Sequence, residues 1–247
     1  MKRFTLNGLL FYAAMAFFLT SCSGNGSKET STDTTATADT TAANTVAPET
    51  NTIITTQQNM MVIMHKVSNF EKWKSAYDEH DSARLAAGIH NYVIGRGMQD
   101  SDMVMVALKI DDVAKAKAFA KDPGLKKAMQ KGGVTGMPSI SFTTMVFQDT
   151  ANIGSAPRSS NTFTVKDWDT WQKAFEDGKQ ERLDNGIAVR AYGYDVDNNK
   201  KVTLVTALTD TAKAFAYYKS DALKERRKAS GVLGEPKRFL FNIVQRY

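Results

Sequence analysis

The feature that most constrains the fold of this chain is an internal repeat with a constant spacing of 98 residues. Trp73 in the first half is matched by Trp171 in the second, and the residues around them keep the same order. The register holds without a gap from Val67 to Pro236, which a chance similarity would not maintain through every loop. The chain therefore contains a duplicated structural unit. Further pairs at this spacing are Arg84 and Arg182, Leu85 and Leu183, Gly88 and Gly186, Gly95 and Gly193, and Leu125 and Leu223.

Each unit has the pattern of a β-α-β-β-α-β fold. Short apolar runs of strand length alternate with amphipathic segments that begin at capping residues and end at glycine. In the first unit, the predicted elements are a strand at 60–67, a helix from Asn69 to Gly88, strands at 89–97 and 103–110, a second helix through about Lys131 that breaks at Asp122-Pro-Gly, and a last strand from Pro138.

Such a unit forms a four-stranded antiparallel sheet with both helices on one face. In the first strand, Met60, Val62 and Met64 point to one face. Met61 and Ile63 point to the other, so both faces are apolar and the sheet needs a second cover. We therefore predict an α+β protein in which two tandem ferredoxin-like repeats cover each other's sheets. The predicted boundaries are 58–146 for the first repeat, 147–158 for a connector and 159–247 for the second repeat.

Three motifs recur in both units. An aromatic helix motif lies at 70–77 and 168–175, R-L-x-x-G-I lies at 84–89 and 182–187, and G-V-x-G-x-P precedes each last strand. With these motifs the chain resembles the dimeric α/β-barrel superfamily, which includes the antibiotic-biosynthesis-monooxygenase-like domains. The resemblance implies an intramolecular dimeric α/β barrel. Because members include cofactor-free oxygenases, haem enzymes, isomerases and domains without known activity, it leaves the function open.

The first 21 residues have the pattern of a signal peptide. Lys2 and Arg3 precede an apolar run that ends at Leu19 and is too short to span a membrane. The sequence Leu19-Thr-Ser-Cys22 resembles the lipobox of bacterial lipoproteins, and Cys22 is the only cysteine. The resemblance implies cleavage before Cys22 and acylation of this residue, which would anchor the protein in a lipid bilayer. An ordinary secretory signal with a chance cysteine is the alternative.

Residues 22–57 combine the lipidated cysteine with a segment rich in Ser, Thr, Ala and Asn. Such a composition cannot bury enough apolar surface to offset its ordering entropy, so we expect a disordered tether. The expected location is the bacterial cell envelope. The outer membrane is favoured, and both its periplasmic and its surface face stay open.

The composition excludes several kinds of site. One cysteine can form neither an intrachain disulfide nor a thiolate zinc site, and three histidines leave little room for a metal centre. Although the formal net charge is +6, no basic run with interleaved aromatic residues indicates nucleic-acid binding. We expect no metal and a monomeric barrel.

The candidate ligand pocket lies in the first repeat, which contains all three histidines. A few polar groups among apolar side chains would suit a small apolar or aromatic ligand. His65 aligns with Phe163 of the second repeat, so the alternative is a core position that accepts any aromatic ring. The predicted pocket residues are His65, His80, His90, Asn91 and Tyr92.

Arg84 and Arg182 are charged residues on the inner helix stripe of both repeats. A guanidinium at such a position either donates to free backbone carbonyls or binds a carboxylate. Their retention in both repeats favours the structural role.

Two classes of function remain. The first is an envelope-anchored lipoprotein whose barrel binds a small molecule or serves a structural role without catalysis; the alternative is a cofactor-free, monooxygenase-like enzyme. We assign no catalytic residue and expect no cofactor, with haem and flavin left open. Haem-binding relatives generally place a histidine near the second helix of the unit, and this chain has no histidine beyond His90.

Overall fold

The computed structural model describes residues 51–247. The first repeat has the predicted order of strands and helices, and each helical segment consists of two short helices. Its elements are β1 (Ile53–Ile54), β2 (Gln58–Val67), α1 (Phe70–Glu79), α2 (Asp81–Ala86), β3 (Ile89–Gly97), β4 (Met103–Ile110), α3 (Val113–Phe119), α4 (Pro123–Lys131) and β5 (Val134–Asp149).

The second repeat has the same order, which confirms the duplication. Its elements are β6 (Arg158–Val165), α5 (Trp168–Asp177), α6 (Lys179–Asp184), β7 (Ile187–Asp195), β8 (Asn198–Leu208), α7 (Thr211–Lys219), α8 (Asp221–Ala229) and β9 (Val232–Arg246).

The two sheets join into one closed barrel. Within the first repeat the strand order is β5-β2-β4-β3, and within the second it is β9-β6-β8-β7. Pairing of β3 with β9 closes one side, and pairing of β5 with β7 closes the other. All of these pairs are antiparallel. The predicted α+β fold of two ferredoxin-like repeats is confirmed, and the sheets meet edge to edge as well as face to face.

The barrel wall separates two layers of side chains. Met61 and Ile63 of β2 point outward and belong to the buried core beneath the helices of the first repeat. Met60, Val62 and Met64 of the same strand line the barrel interior. This alternation follows from the two-residue period of a β-strand, and it confirms that both faces of the sheet are covered.

Side chains at the helix starts act as the sequence predicts. Asn69 and its equivalent Asp167 each accept a hydrogen bond from the backbone N–H three residues later, which caps α1 and α5. Asp122 caps α4 immediately before Pro123, at the predicted break. Gly88 ends α2 with a φ of 68°, a conformation that disfavours residues with a Cβ.

Two boundaries differ from the prediction. Ile53 and Ile54 lie in the expected tether but form β1, because the edge of β5 beyond β2 offers free backbone groups at Asp149 and Gln148. Strand β5 begins at Val134 and passes through Pro138, where the prediction began it. The predicted signal peptide, Cys22 and residues 23–50 lie outside the described part of the chain. No helix within residues 51–247 is long and apolar enough to cross a membrane.

Candidate ligand site

His65 lies in the packed layer between sheet and helices of the first repeat. Its ring is 4% exposed and packs against Trp73 at 5.5 Å between ring centroids. Neither ring nitrogen has a hydrogen-bond partner among the described residues. Burial lowers the pKa of His65 to about 4, so the imidazole is neutral at pH 7. Phe163 packs against Trp171 at the same centroid distance of 5.5 Å, which favours the core alternative for His65.

His80 and Asn91 lie at the edge of the same layer. His80 packs against Phe119 with ring centroids 5.9 Å apart. Burial is the largest of the effects that lower the pKa of His80, and the positive charge of Arg84 adds to it. Asn91 donates to Asp81 at 2.6 Å and accepts a hydrogen bond from the Tyr77 hydroxyl. Both polar groups of the Asn91 amide are therefore engaged within the protein.

The other two predicted pocket residues lie elsewhere. His90 is about half exposed on the outer surface, and its Nε2 is 2.9 Å from a carboxylate oxygen of Asp111. Tyr92 lies on the opposite side of the sheet and lines the barrel interior, where Lys109 Nζ is 4.8 Å from its ring centroid. The structure thus distributes the five predicted residues over the helix–sheet layer, the surface and the barrel interior.

Arg84 and Arg182 share a backbone contact in the two repeats, and Arg84 also donates from Nη2 to Asp81 at 3.0 Å. Both are buried, and each Nη1 donates to the backbone carbonyl of the residue seven positions earlier, at 2.7 Å from Arg84 to Tyr77. The equivalent acceptor of Arg182 is Phe175. These carbonyls belong to the last turns of α1 and α5, where the regular helical hydrogen bonds end. The Phe175 carbonyl also accepts from the Gly178 N–H at 3.2 Å. The contacts favour the structural role for both arginines.

The residues near His65 do not fit a haem group. An axial ligand must direct a ring nitrogen at open space large enough for the macrocycle. Both nitrogens of His65 are instead enclosed, and its ring packs against Trp73. His80 contacts Phe119, and His90 lies near Asp111 on the surface. We therefore assign no step to haem. Within residues 51–247, no group of three or more His, Cys, Asp or Glu side chains is arranged to hold a metal ion.

The barrel interior contains a polar cluster that the sequence reasoning missed. Arg158 and Arg190 are buried, and Arg246 is exposed; all three line the same interior cavity. Arg158 begins β6 opposite Phe241, and β9 continues past it to Arg246, while Asp149 ends β5. The strand directions place these three residues towards one end of the barrel, and all of them line the cavity. Arg190 joins them by an ion pair of 2.6 Å with Asp149. We call these four residues the arginine end.

In the first repeat, the positions equivalent to the three arginines of the arginine end hold uncharged residues. At the spacing of 98 residues, Arg158 corresponds to Met60, Arg190 to Tyr92 and Arg246 to Gln148. All six side chains line the same cavity. The two walls of the barrel therefore differ, since the first repeat supplies apolar or neutral groups where the second supplies cations.

A signal for these residues was present in the sequence. Met60 was already assigned to one face of β2, and the repeat spacing transfers that face to Arg158. The prediction instead placed Arg158 at the end of a connector, which removed it from the strand. The remaining lining is mainly aliphatic side chains and hydroxyl groups: Val62, Met64, Met105, Ser141, Thr143, Ser160, Thr162, Thr203, Val205 and Phe241.

Comparison with known proteins establishes the fold class. No protein-family model and no curated protein matches the sequence. A monooxygenase-like protein from Fusobacterium nucleatum subsp. nucleatum superposes with a TM-score of 0.51 at 12% identity, over 76% of this chain and 92% of its own. An anthrone oxidase-like protein gives 0.52 at 15%, over 78% and 94%. A chlorite dismutase-like protein gives 0.51 at 14%, over 76% and 96%. At these identities the similarity shows the dimeric α/β-barrel fold alone.

Proposed function

We propose that this protein is a lipid-anchored binding protein of the bacterial cell envelope, with the outer membrane as its expected location, and that a small molecule binds inside the barrel. The lipobox-like sequence at 19–22 supports the anchor. The proposal treats the fused repeats as a monomeric barrel that acts without catalysis.

The observation that carries the proposal is the interior cavity. Its volume is about 140 Å³, and since one water molecule needs roughly 10–15 Å³ on this measure, the cavity has room for a small molecule. Met60, Met64 and Met105 provide flexible, polarisable walls that adapt to a guest. Ser160 and Thr162 add hydroxyl groups that orient it. This mixture of apolar surface and a few polar groups is typical of small-molecule sites.

The arrangement of Asp149 favours binding over acid–base catalysis. One carboxylate oxygen accepts hydrogen bonds from the Thr52 hydroxyl at 3.0 Å and the Ala151 N–H at 2.9 Å. The other accepts from Arg190. Both oxygens are therefore engaged, and among the described residues lining the cavity there is neither a second carboxylate nor a histidine. A general base must instead be within hydrogen-bond reach of the substrate proton that it abstracts.

The monooxygenase-like alternative has less support. Two of the similar structures carry oxygenase-like or oxidase-like names, but their identities of 12% and 15% transfer only the fold. We therefore place binding first.

A fluorescent probe tests the proposal. N-phenyl-1-naphthylamine is uncharged, and its fluorescence rises in apolar surroundings. Residues 23–247 omit the signal and the lipid site and retain the whole barrel, which residues 51–247 build with their own core. We expect saturable binding of the probe to this protein and its displacement by 1-octanol.

A filled interior provides the decisive comparison. Val205 on β8 lines the cavity, so Val205→Trp should abolish probe binding. Leu85→Trp, at an exposed helix position, is the matched control and should bind normally. Ala107→Trp fills the equivalent position of the first repeat and serves if Val205→Trp does not fold. Unchanged binding by a folded filled variant, or no saturable binding by the wild type, would contradict the proposal.

A further inference from the structure

The arginine end contains three positively charged side chains and one negatively charged side chain. Of its three arginines, Arg190 alone forms an ion pair within the described residues, and its partner is Asp149. Both oxygens of Asp149 are engaged by Arg190, Thr52 and Ala151. Neither Arg158 nor Arg246 forms an ion pair with Asp149, so two positive charges at this end have no carboxylate partner in the described chain.

Arg158 is the most informative of these residues, because it is a buried cation. Its side chain is 2% exposed, and its one hydrogen bond in the described structure runs from Nη1 to the backbone carbonyl of Ala156. The other guanidinium N–H groups have no acceptor there, although the residue lines the cavity. An unpaired buried charge is costly, and proteins normally supply a partner for it.

Electrostatics support the same conclusion. Burial lowers the pKa of Arg158 to about 10, and the charges of Arg246 and Arg190 add to the effect. The pKa of Arg190 is also lowered, first by burial, while Asp149 opposes the shift. The two guanidinium groups repel each other. An anion bound between Arg158 and Arg246 would be attracted by both and would offset this repulsion.

We propose that the barrel interior binds a small amphipathic carboxylate, with its carboxylate between Arg158 and Arg246. A guanidinium presents paired N–H donors that match the two oxygens of a carboxylate. The inference rests on the proposed interior site and adds the chemical class of its ligand. Arg246 is exposed at the end of β9, so the anion enters where this residue meets solvent.

The apolar part of the ligand would lie against the wall of the first repeat. From Met60 to Met64 the strand advances by roughly 13 Å, and both residues line the cavity with Met105. The hydroxyl groups of Ser160 and Thr162 line the opposite wall. A medium-chain or aromatic acid has this combination of one charged end and an apolar body.

The repeat itself supplies the substitutions for a test. Arg158→Met and Arg246→Gln each introduce the residue that the first repeat carries at the equivalent position, so the fold already accepts both. Arg96→Met is the matched control. It removes a cation that stacks on Phe70, outside the barrel.

Isothermal titration calorimetry of residues 23–247 with octanoate and 1-octanol separates charge from apolar contact. We expect the wild type to bind octanoate at least tenfold more tightly than octanol. Arg158→Met and Arg246→Gln should each remove most of this preference and leave octanol affinity unchanged, while Arg96→Met keeps the preference.

The possible results distinguish failure of the carboxylate inference from failure of the proposed binding function. If the wild type binds octanol and octanoate equally, the carboxylate inference fails while the interior site stands. If it binds neither, and N-phenyl-1-naphthylamine does not bind, the proposed function fails as well. A lower melting temperature of Arg158→Met with unchanged octanoate affinity would assign Arg158 to holding the Ala156 carbonyl and would overturn the inference.

Discussion

Arg84 and Arg182 hold their guanidinium groups at the same distance, 3.7 Å, from the ring centroids of Tyr77 and Phe175. Each arginine also donates to the backbone carbonyl of the residue on whose ring it stacks. The contact therefore needs an aromatic ring and an accessible carbonyl at one position in the last turn of the helix. It ties the end of the first helix of each repeat to the short helix that follows it.

This relationship predicts a loss of stability in both repeats, slightly larger for Arg84, whose Nη2 also donates to Asp81 at 3.0 Å. Arg84→Met or Arg182→Met should each lower the free energy of unfolding by roughly 2–3 kcal/mol, because a hydrogen bond from a charged donor and a cation–π contact are lost. Urea denaturation measures the change. If only one of the two substitutions lowered the free energy of unfolding, the shared contact would not contribute to stability in both repeats, and the prediction would be wrong.

A second prediction concerns the glycine at each closure of the barrel. Gly193 of β7 pairs with Met145 of β5, and its equivalent Gly95 pairs with Ile243 of β9. A Cβ at Gly193 would overlap the backbone carbonyl of Thr144, whereas one at Gly95 would overlap the Phe241 ring. Because a ring can move more readily than backbone, Gly193→Ala should cost more than Gly95→Ala, roughly 3 kcal/mol or above.

Thermal unfolding with near-UV circular dichroism checks this order. Gly136→Ala is the control, since a Cβ there meets nothing within 4 Å and the cost comes only from its φ of 72°. That cost is about 1–2 kcal/mol. Equal effects of all three substitutions would argue against a tight closure at β5 and β7.

His65 predicts a specific dependence of stability on pH. Its pKa is about 4 in the folded protein against 6.5 for the free side chain. Between these values the unfolded chain binds a proton that the folded chain does not, so stability falls as the pH drops from 6.5 towards 4. The loss attributable to His65 is on the order of 3 kcal/mol.

His65→Phe should remove this loss, because Phe163 shows that the equivalent position holds a phenyl ring. The measurement is urea unfolding of wild type and variant at pH 7 and pH 4.5. Their difference isolates His65 from His80, whose pKa is also lowered. Parallel losses in the two proteins would contradict the assignment.

Cys22 carries the prediction about anchoring. Mass spectrometry of the membrane fraction should find an N-terminal cysteine at position 22 with acyl chains. Cys22→Ala should leave unprocessed protein or release it from the membrane, because the thiol is the only site for the lipid. A soluble wild-type protein beginning at another residue would rule out the lipobox interpretation.

The sequence was sufficient for the fold because the repeat fixed the alignment of every element. Trp73 and Trp171, Asn69 and Asp167, and Gly88 and Gly186 mark the same points in each unit. It did not predict β1, since Ile53 and Ile54 pair only because β5 extends past β2. Such an edge is a property of the assembled sheet.

The site was harder to predict for a physical reason. The histidines were predicted as pocket residues because imidazole is a common functional group. In the structure, His65 fills a core position and His90 lies on the surface. Arg158 and Arg246 are distant in sequence and line one cavity only because β9 runs past the first residue of β6 in the closed barrel. Residue type alone does not report which side of a barrel wall a side chain occupies.

The covalent link between the repeats frees the barrel from a constraint that symmetric assemblies obey. In a homodimer of single units, every interior residue would occur on both walls, so an arginine could never face a methionine from its own equivalent position. Here Met60 and Arg158 share one position in the repeat and differ in chemistry. Two repeats in one chain therefore permit a polarised interior, with cations on one wall and apolar or neutral groups at the equivalent positions of the other.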